Sequence, residues 1–160
     1  MLRVGRNDAP FVLVDALMDG TLRWCPDDLR PLVADAWTMA EFPQVSLGTE
    51  MWVRLFEVAQ YSRPADPLTI YRGCSPRRLR RMAWTLDEGQ ARWFALRFLW
   101  EAGAAGRSVY RATVAPDAVL AVIDDIEEDG GRGEQEVVVD PRRLGKITRI
   151  ETLPVYRPER

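Results

Sequence analysis

Apolar residues in the first third of the chain recur with the 3.6-residue period of an α-helix. One such stretch opens at Pro26 and is stopped by Pro43, which predicts a helix between the two prolines. A second helix is predicted to begin at Thr49, an N-cap candidate, because another apolar stripe of the same period follows it. The two stripes consist of Leu29, Leu32, Val33, Ala36, Trp37 and Ala40, and then of Trp52, Leu55, Phe56 and Ala59.

The pattern changes after the turn-rich segment 62–67, where short apolar or alternating runs replace the helical period. The first run, 68–73, predicts a strand that ends in a glycine turn. Asp87 then starts the one well-marked helix of this half, with Gln90 completing a capping box, and the glycine-containing segment 103–106 ends it. The remaining candidate strands are 82–85, 108–114, 119–123, 137–139 and 146–155.

These patterns predict an α+β fold in two parts. Residues 1–66 would form an N-terminal helical region, and residues 67–160 a core of short strands with one helix. A chain of 160 residues is long enough for one compact domain with an appendage. Because 47% of the residues are hydrophobic, a packed core is expected rather than a disordered chain.

The absence of histidine restricts the chemistry of this chain more than any other feature of its composition. Ser-His-Asp and Cys-His catalysis, histidine-ligated metals and histidine general bases are all excluded. The two cysteines, Cys25 and Cys74, do not make a metal site without histidine, and their spacing does not require a disulfide. An enzyme with this sequence must therefore work with carboxylates, arginine, hydroxyl groups and the backbone, and we expect no metal.

The formal net charge of -2 gives no overall attraction to nucleic acid or to an anionic membrane. The N-terminal apolar run, 11–17, is interrupted by Asp15 and is too short to span a bilayer, and no convincing cleavage site follows it. We therefore expect no membrane partner and a cytoplasmic location, which for an injected or phage-borne effector would be the target cell. Basic residues nevertheless cluster at Arg77, Arg78, Arg80 and Arg81, and again at Arg132, Arg142 and Arg143.

Two short segments carry side chains suited to holding a ligand. Arg72 and Gly73 end the first predicted strand, where a guanidinium fork suits a pyrophosphate and a glycine permits close approach of the backbone. Trp84 and Thr85 precede the predicted helix, and an indole beside a hydroxyl group can shield and hydrogen-bond a ligand. Taken singly, each segment also has a structural interpretation, a solvated turn for the first and core packing for the second.

A third segment carries paired carboxylates. Glu134 and Glu136 stand where a glycine-rich acidic loop meets the valine run 137–139. Their i, i+2 spacing puts both on one face of a strand, and a buried strand would hold Glu136 rigidly. Charges that discourage edge-to-edge aggregation are the structural alternative.

In this order, the three segments resemble the Arg/Ser-Thr-Ser/Glu-x-Glu class of mono-ADP-ribosyltransferases, to which many clostridial-type toxins belong. The resemblance covers residues 68–144, roughly half of the chain, and the stretch 134–141 is its most specific part. It implies a small α+β core, split into two sheets, that wraps the substrate NAD in a cleft, with the N-terminal helices packed beside it.

The resemblance also implies which residues hold NAD. Arg72 would grip an NAD phosphate, and the backbone of Gly73 would meet the nicotinamide carboxamide. Thr85 would correspond to the last hydroxyl of the Ser-Thr-Ser motif, which supports the catalytic glutamate. Ala83 and Trp84 replace the first two motif residues, and Trp84 would form a wall of the pocket.

The two glutamates would carry the chemistry. Glu136 would stabilise the positive charge that develops on the ribose as the nicotinamide bond breaks, and Glu134 would orient the acceptor. A glutamate at that first position often accompanies an arginine acceptor, so a protein arginine is the preferred acceptor and nucleic acid is the alternative. Related transferases with a His-Tyr-Glu triad are excluded, because the chain has no histidine.

Two other functions stay open at this point. One is an NAD glycohydrolase toxin, related in fold, in which water is the acceptor and Arg72, Glu88 and Ser108 would form the catalytic set. Glu88 has a simpler explanation there, since an acidic residue in the first turn of a helix favours the helix dipole. The other is a non-catalytic module whose N-terminal helices and arginine cluster bind a partner such as nucleic acid.

Overall fold

The chain divides into two compact units, Met1–Ser62 and Arg63–Arg160, in the computed structural model. The change of pattern along the sequence predicts this boundary between residues 66 and 67. No helix in the described part of the chain has the length and apolar character needed to cross a membrane. The structure describes residues 5, 7–40, 43–97, 106–124 and 135–154.

The described residues of the N-terminal unit form four helices, α1 (Ala9–Met18), α2 (Pro26–Met39), α3 (Pro43–Ser46) and α4 (Thr49–Ala59). The helix predicted from Pro26 is present, and Pro43, instead of only ending it, begins a further short helix. The helix expected near Thr49 begins there, but Gly48 is its N-cap, with φ of 81°.

Aromatic residues form the centre of this helical unit. The Trp37 ring packs edge-on against Trp52 and Phe56, with ring centroids 5.0 and 5.4 Å apart. The indole N–H of Trp52 donates to the carbonyl of Pro43 at 2.6 Å, which ties α4 to the start of α3. These aromatics are core residues, as expected from their helical spacing, whereas Leu32 of the predicted stripe is 40% exposed.

The C-terminal unit contains all six predicted strands and the predicted helix. Asp87 caps this helix as expected, because its Oδ1 accepts the N–H of Gln90 at 3.1 Å. The elements are β1 (Leu68–Cys74), β2 (Ala83–Thr85), α5 (Glu88–Arg97), β3 (Ser108–Val114), β4 (Val119–Asp124), β5 (Gln135–Val139) and β6 (Ile147–Thr152).

The six strands form one sheet in the order β4-β5-β2-β1-β3-β6, and all neighbouring strands are antiparallel. The predicted α+β class is confirmed. The expectation of two separate sheets needs correction, because the two three-stranded halves are joined, although only by the single pair Tyr71 and Thr85. The pairing of β1 with β2 is this short because β2 has three residues and cannot follow the seven-residue β1 further.

Helix α5 packs against one face of the sheet, directly over Gly73. A Cβ atom at Gly73 would stand 1.8 Å from the carbonyl oxygen of Ala91 and 2.8 Å from the backbone nitrogen of Ala95. Only glycine therefore allows the helix backbone to approach β1 this closely. The opposite face of the sheet carries the larger apolar cluster, which includes Ile70 and Trp84.

A change of Gly73 to alanine tests this helix-on-strand packing. We expect Gly73→Ala to lower the free energy of unfolding by about 1–3 kcal/mol. The clashing atom belongs to the backbone, so the helix must shift. Gly145→Ala is the matched control, since nothing lies within 4 Å of its added Cβ. Urea denaturation of both variants measures the difference, and equal stabilities would contradict the packing described here.

Asp140 closes β5 and is buried. Its carboxylate accepts the backbone N–H of Arg142 at 3.0 Å and two guanidinium N–H groups of the same residue at 2.9 and 2.8 Å. The hydrogen bonds from Arg142 hold the pKa of Asp140 below its ordinary value, against the opposing effect of burial. The ionised carboxylate therefore stabilises the turn after β5.

Asp140 gives the fold a defined acid sensitivity. A lowered folded-state pKa adds stability above the unfolded pKa of about 4, and that stability is lost as the pH falls through the folded value. We expect Asp140→Asn to cost about 1.5–3 kcal/mol at pH 7 and to flatten the fall in stability below about pH 4. Urea denaturation across this pH range measures both effects. Asp117→Asn, an exposed ion-pair partner, should change little, and an equal effect of the two changes would refute the assignment.

Candidate functional site

A cavity of about 210 Å³ opens where β1 and β2 diverge, and residues of β1, β2, β5 and α5 line it. The fold thus brings together residues from three strands that lie far apart in the sequence. Glu134, the remaining predicted site residue, lies outside the described residues. The predicted site residues in the cavity wall are Arg72, Gly73, Trp84, Thr85 and Glu136.

Glu136 lies directly opposite Thr85 in the antiparallel pairing of β2 and β5. The next residue pair along the two strands is hydrogen-bonded, because the N–H of Leu86 donates to the carbonyl of Gln135. Hydrogen-bonded and non-hydrogen-bonded pairs alternate in an antiparallel ladder, so the pair of Thr85 and Glu136 is non-hydrogen-bonded. Side chains of such a pair share one face of the sheet, with Cβ atoms about 4.5–5.5 Å apart. The hydroxyl oxygen of Thr85 also accepts the N–H of Asp87 at 3.1 Å, which fixes its position.

The guanidinium of Arg72 bridges the gap between the two half-sheets. Its Nε donates to the carbonyl of Arg78 at 3.1 Å, and a terminal nitrogen donates to the carbonyl of Ala83. Burial lowers the pKa of Arg72, while the Cys74 thiol and the Glu136 carboxylate act in the opposite direction. A guanidinium keeps its charge in proteins and carries five N–H groups. Because Arg72 uses two nitrogens to bond backbone carbonyls, the orientation of its guanidinium is fixed.

The backbone of Gly73 faces the same gap. Hydrogen bonding alternates along antiparallel strands, and the ladder of β2 with β5 leaves the N–H and C=O of Thr85 directed toward β1. Thr85 pairs there with Tyr71, so the backbone groups of Tyr71 are directed toward β2. Gly73 stands two residues further along β1, and its N–H and C=O therefore point to the same edge, into the gap.

Trp84 contributes a wall of the cavity and a core contact. Its side chain is 3% exposed and belongs to the apolar cluster beneath the sheet. The indole N–H donates to the carbonyl of Arg81 at 2.9 Å. Since its polar atom is used by the backbone, Trp84 can shape and shield a ligand here but does not offer it a hydrogen bond.

Arg107 is the main cavity residue that the sequence analysis missed. It is 6% exposed and donates to the carbonyl of Phe94, in the last turn of α5, at 3.5 Å. Its position follows from strand pairing, because the next residue, Ser108, pairs with Cys74 at the end of β1. A glycine-arginine pair before an alternating strand was the available signal, but it does not show which strand β3 joins. Arg78, Gln90 and Phe94 also line the cavity without having been singled out for it.

The cavity is rich in positive charge. Three arginines, Arg72, Arg78 and Arg107, share its wall with one carboxylate, that of Glu136. Such a lining favours an anionic ligand with more than one charged group, and guanidinium forks match phosphate oxygens best. Within the described residues, no group of three or more histidine, cysteine or acidic side chains could hold a metal ion.

The three residues that the alternative glycohydrolase would use do not all line this cavity. Glu88 is exposed in the first turn of α5, and Ser108 is buried at the start of β3. Neither residue is part of the cavity wall formed by the described residues, whereas Arg72 is. The structure thus groups Arg72 with Glu136 and not with Glu88 or Ser108.

Comparisons with models of known protein families, with curated proteins and with solved structures find no match to this chain. The cavity is therefore the feature from which the function of the protein is inferred. Among the polar elements of the cavity are a fixed guanidinium, a backbone edge, a hydroxyl and a carboxylate, which occupy the adjoining strands β1, β2 and β5.

Proposed function

We propose that this protein is a mono-ADP-ribosyltransferase, which cleaves NAD at the nicotinamide bond and transfers ADP-ribose to a macromolecular acceptor. The observation that carries the proposal is that Arg72, Gly73, Thr85 and Glu136 line the same cavity. We further propose that Arg63–Arg160 is a core of this transferase type. The joining of its half-sheets by only one residue pair supports that likeness.

The arginines and the glycine edge suit the two ends of a nicotinamide nucleotide. The N–H and C=O of Gly73 are complementary to the carbonyl and amino groups of the nicotinamide carboxamide. Arg72, Arg78 and Arg107 are complementary to the diphosphate. At about 210 Å³ the cavity is smaller than the roughly 300–1,000 Å³ typical of pockets that enclose a whole ligand, so the nicotinamide-ribose end enters and the adenosine stays outside.

Glu136 supplies the stabilisation that this reaction needs. Breaking the bond to nicotinamide leaves positive charge on the ribose, and nicotinamide departs with the bonding electron pair. A carboxylate that accepts the ribose 2′-hydroxyl stabilises this charge where it develops. Thr85, directly opposite Glu136, limits the positions that the carboxylate can take. Glu134 keeps its proposed role of orienting the acceptor.

Replacing Glu136 by glutamine tests the catalytic role. We expect Glu136→Gln to reduce nicotinamide release by about a hundred- to a thousandfold, because the amide is isosteric but uncharged. Release from NAD is measured by chromatography, and circular dichroism confirms the fold of the variant. Turnover equal to that of the parent would remove Glu136 from the mechanism.

Glu88→Gln is the matched control for this experiment. It removes a carboxylate from the rival glycohydrolase set and should leave nicotinamide release unchanged. Loss of release in Glu88→Gln with activity retained in Glu136→Gln would favour the glycohydrolase. Radiolabelled NAD separates the two reactions further, since only the transferase leaves label bound to a macromolecule.

Arg72 is expected to determine the affinity for NAD. In the Glu136→Gln background, which blocks turnover, Arg72→Gln should weaken NAD binding by about 1.5–3 kcal/mol, roughly ten- to a hundredfold in Kd. Calorimetry measures the change. Arg111→Gln, on the exposed side of β3, is the control with the same loss of charge. Unchanged affinity in a folded Arg72→Gln protein would exclude the phosphate-binding role.

A further inference from the structure

Two basic loops and one exposed arginine form what we call the arginine surface. One loop connects β1 to β2, and the other follows β5. All six side chains are exposed, so their charges face solvent. The arginine surface consists of Arg63, Arg77, Arg78, Arg80, Arg142 and Arg143.

Hydrogen bonds hold these segments next to one another. Arg80 reaches from the first loop to the carbonyl of Leu144 in the second at 3.0 Å. Arg63 and Arg143 both donate to the carbonyl of Asp117, so they converge on one point. Arg78 continues the surface into the cavity, where it is part of the wall. The arginine surface is thus a continuous band that ends at the candidate active site.

The charge of this band is not an effect of composition. Six of the 22 basic residues of the chain lie in this band, although the whole chain carries a formal net charge of -2. Two carboxylates, Asp117 and Asp140, form ion pairs with Arg142 and Arg143, and Asp140 is buried. None of the four arginines of the first loop, which lie between residues 77 and 81, forms an ion pair with another described residue.

The chemistry of the surface favours a phosphate backbone over other polyanions. Guanidinium forks bind phosphate oxygens in two-point fashion, and repeated phosphates suit a band of arginines. Apolar anchors beside the charges strengthen the binding of a protein to a membrane. In the described residues of Arg63–Arg160, Leu96 is the one exposed large apolar side chain, and it lies on α5, outside both loops. A nucleic acid therefore fits better than a lipid surface.

We propose that the arginine surface binds the phosphate backbone of a nucleic acid and presents one of its nucleotides to the cavity as the acceptor of ADP-ribose. The transfer step rests on the proposed function, whereas the binding step does not. In the transfer, the bond from ribose C1′ to nicotinamide breaks and nicotinamide keeps the electron pair. A nucleophilic oxygen or nitrogen of the nucleic acid forms the new bond to C1′, and its proton passes to solvent.

This choice of acceptor departs from the preference for a protein arginine. That preference depended on Glu134, which lies outside the described residues. A basic acceptor side chain would meet repulsion along the arginine surface, whereas a phosphate chain would be attracted to it. The charges that border the cavity therefore favour an anionic acceptor.

Fluorescence anisotropy with a labelled single-stranded DNA, and with RNA of the same sequence, tests the binding step without NAD. We expect the logarithm of affinity to fall linearly with the logarithm of salt concentration for at least one of them. The triple variant Arg77→Gln, Arg80→Gln, Arg143→Gln should bind more than tenfold more weakly and reduce the salt slope by about 2–3. Should that variant not fold, Arg77→Gln alone should reduce the slope by roughly 1.

The matched control removes three arginines elsewhere on the same unit, in the variant Arg97→Gln, Arg111→Gln, Arg149→Gln. Its binding should stay close to that of the parent. An equal loss in both triple variants would overturn the proposal, because it would show a general effect of charge. Equal binding of poly-glutamate, or binding confined to phosphatidylserine vesicles, would also overturn it in favour of an acidic protein or a membrane.

Radiolabelled NAD tests the transfer step separately. The parent protein should label the oligonucleotide, and the Arg77, Arg80 and Arg143 triple variant should lose this labelling while it still releases nicotinamide. Labelling of protein alone would overturn the acceptor assignment and leave the proposed enzyme intact. If the parent protein binds nucleic acid but releases no nicotinamide, the proposed enzyme and the transfer step are rejected. The binding surface would stand.

Discussion

The backbone pairing of Tyr71 with Thr85 is the constraint on which the C-terminal unit depends, because among the described residues it is the one strand pair that joins the two halves of the sheet. Beyond this pair β1 continues and β2 does not follow it, so backbone groups of both strands face a gap. Buried backbone groups need hydrogen-bond partners, and Arg72 supplies one for the carbonyl of Ala83. The cavity is thus the direct result of one short strand in a sheet of longer ones.

Several residues of the cavity take part in packing and in the cavity wall at once. Gly73 lacks a Cβ because helix α5 lies against it, while its N–H and C=O face the gap. Trp84 fills the core beneath the sheet and forms part of the cavity wall. Such residues cannot be changed for one purpose only, because a substitution that alters the wall also alters the contact that positions it. For that reason Glu136 carries more information about function than Gly73 does, or than Arg72, which also bonds the carbonyls of Arg78 and Ala83.

Patterns that depend on near neighbours could be predicted from the sequence. The first strand, the valine strand and the start of α5 at Asp87 are of this kind, since alternation, β-branching and capping are local effects. The place of Arg107 could not be predicted, because it depends on the pairing of β3 with β1 and on the packing of α5. Whether the strands form one sheet or two also depended on one long-range pair, which no local pattern specifies. The cavity-lining residues named from the sequence each stand at or beside the end of a locally predictable element.

Under the proposed function, the three arginines and the one glutamate of the cavity act on the same substrate. Positive charge near the ribose opposes the formation of a cationic transition state. Three arginines whose charges were not neutralised would therefore disfavour the reaction. Bound diphosphate changes this balance, because its negative charges offset the guanidinium groups of Arg72, Arg78 and Arg107. The carboxylate of Glu136 then becomes the dominant charge close to the reacting carbon. Under the proposed function, the phosphates of NAD therefore complete the electrostatic environment in which Glu136 acts, and binding and catalysis share the same charges.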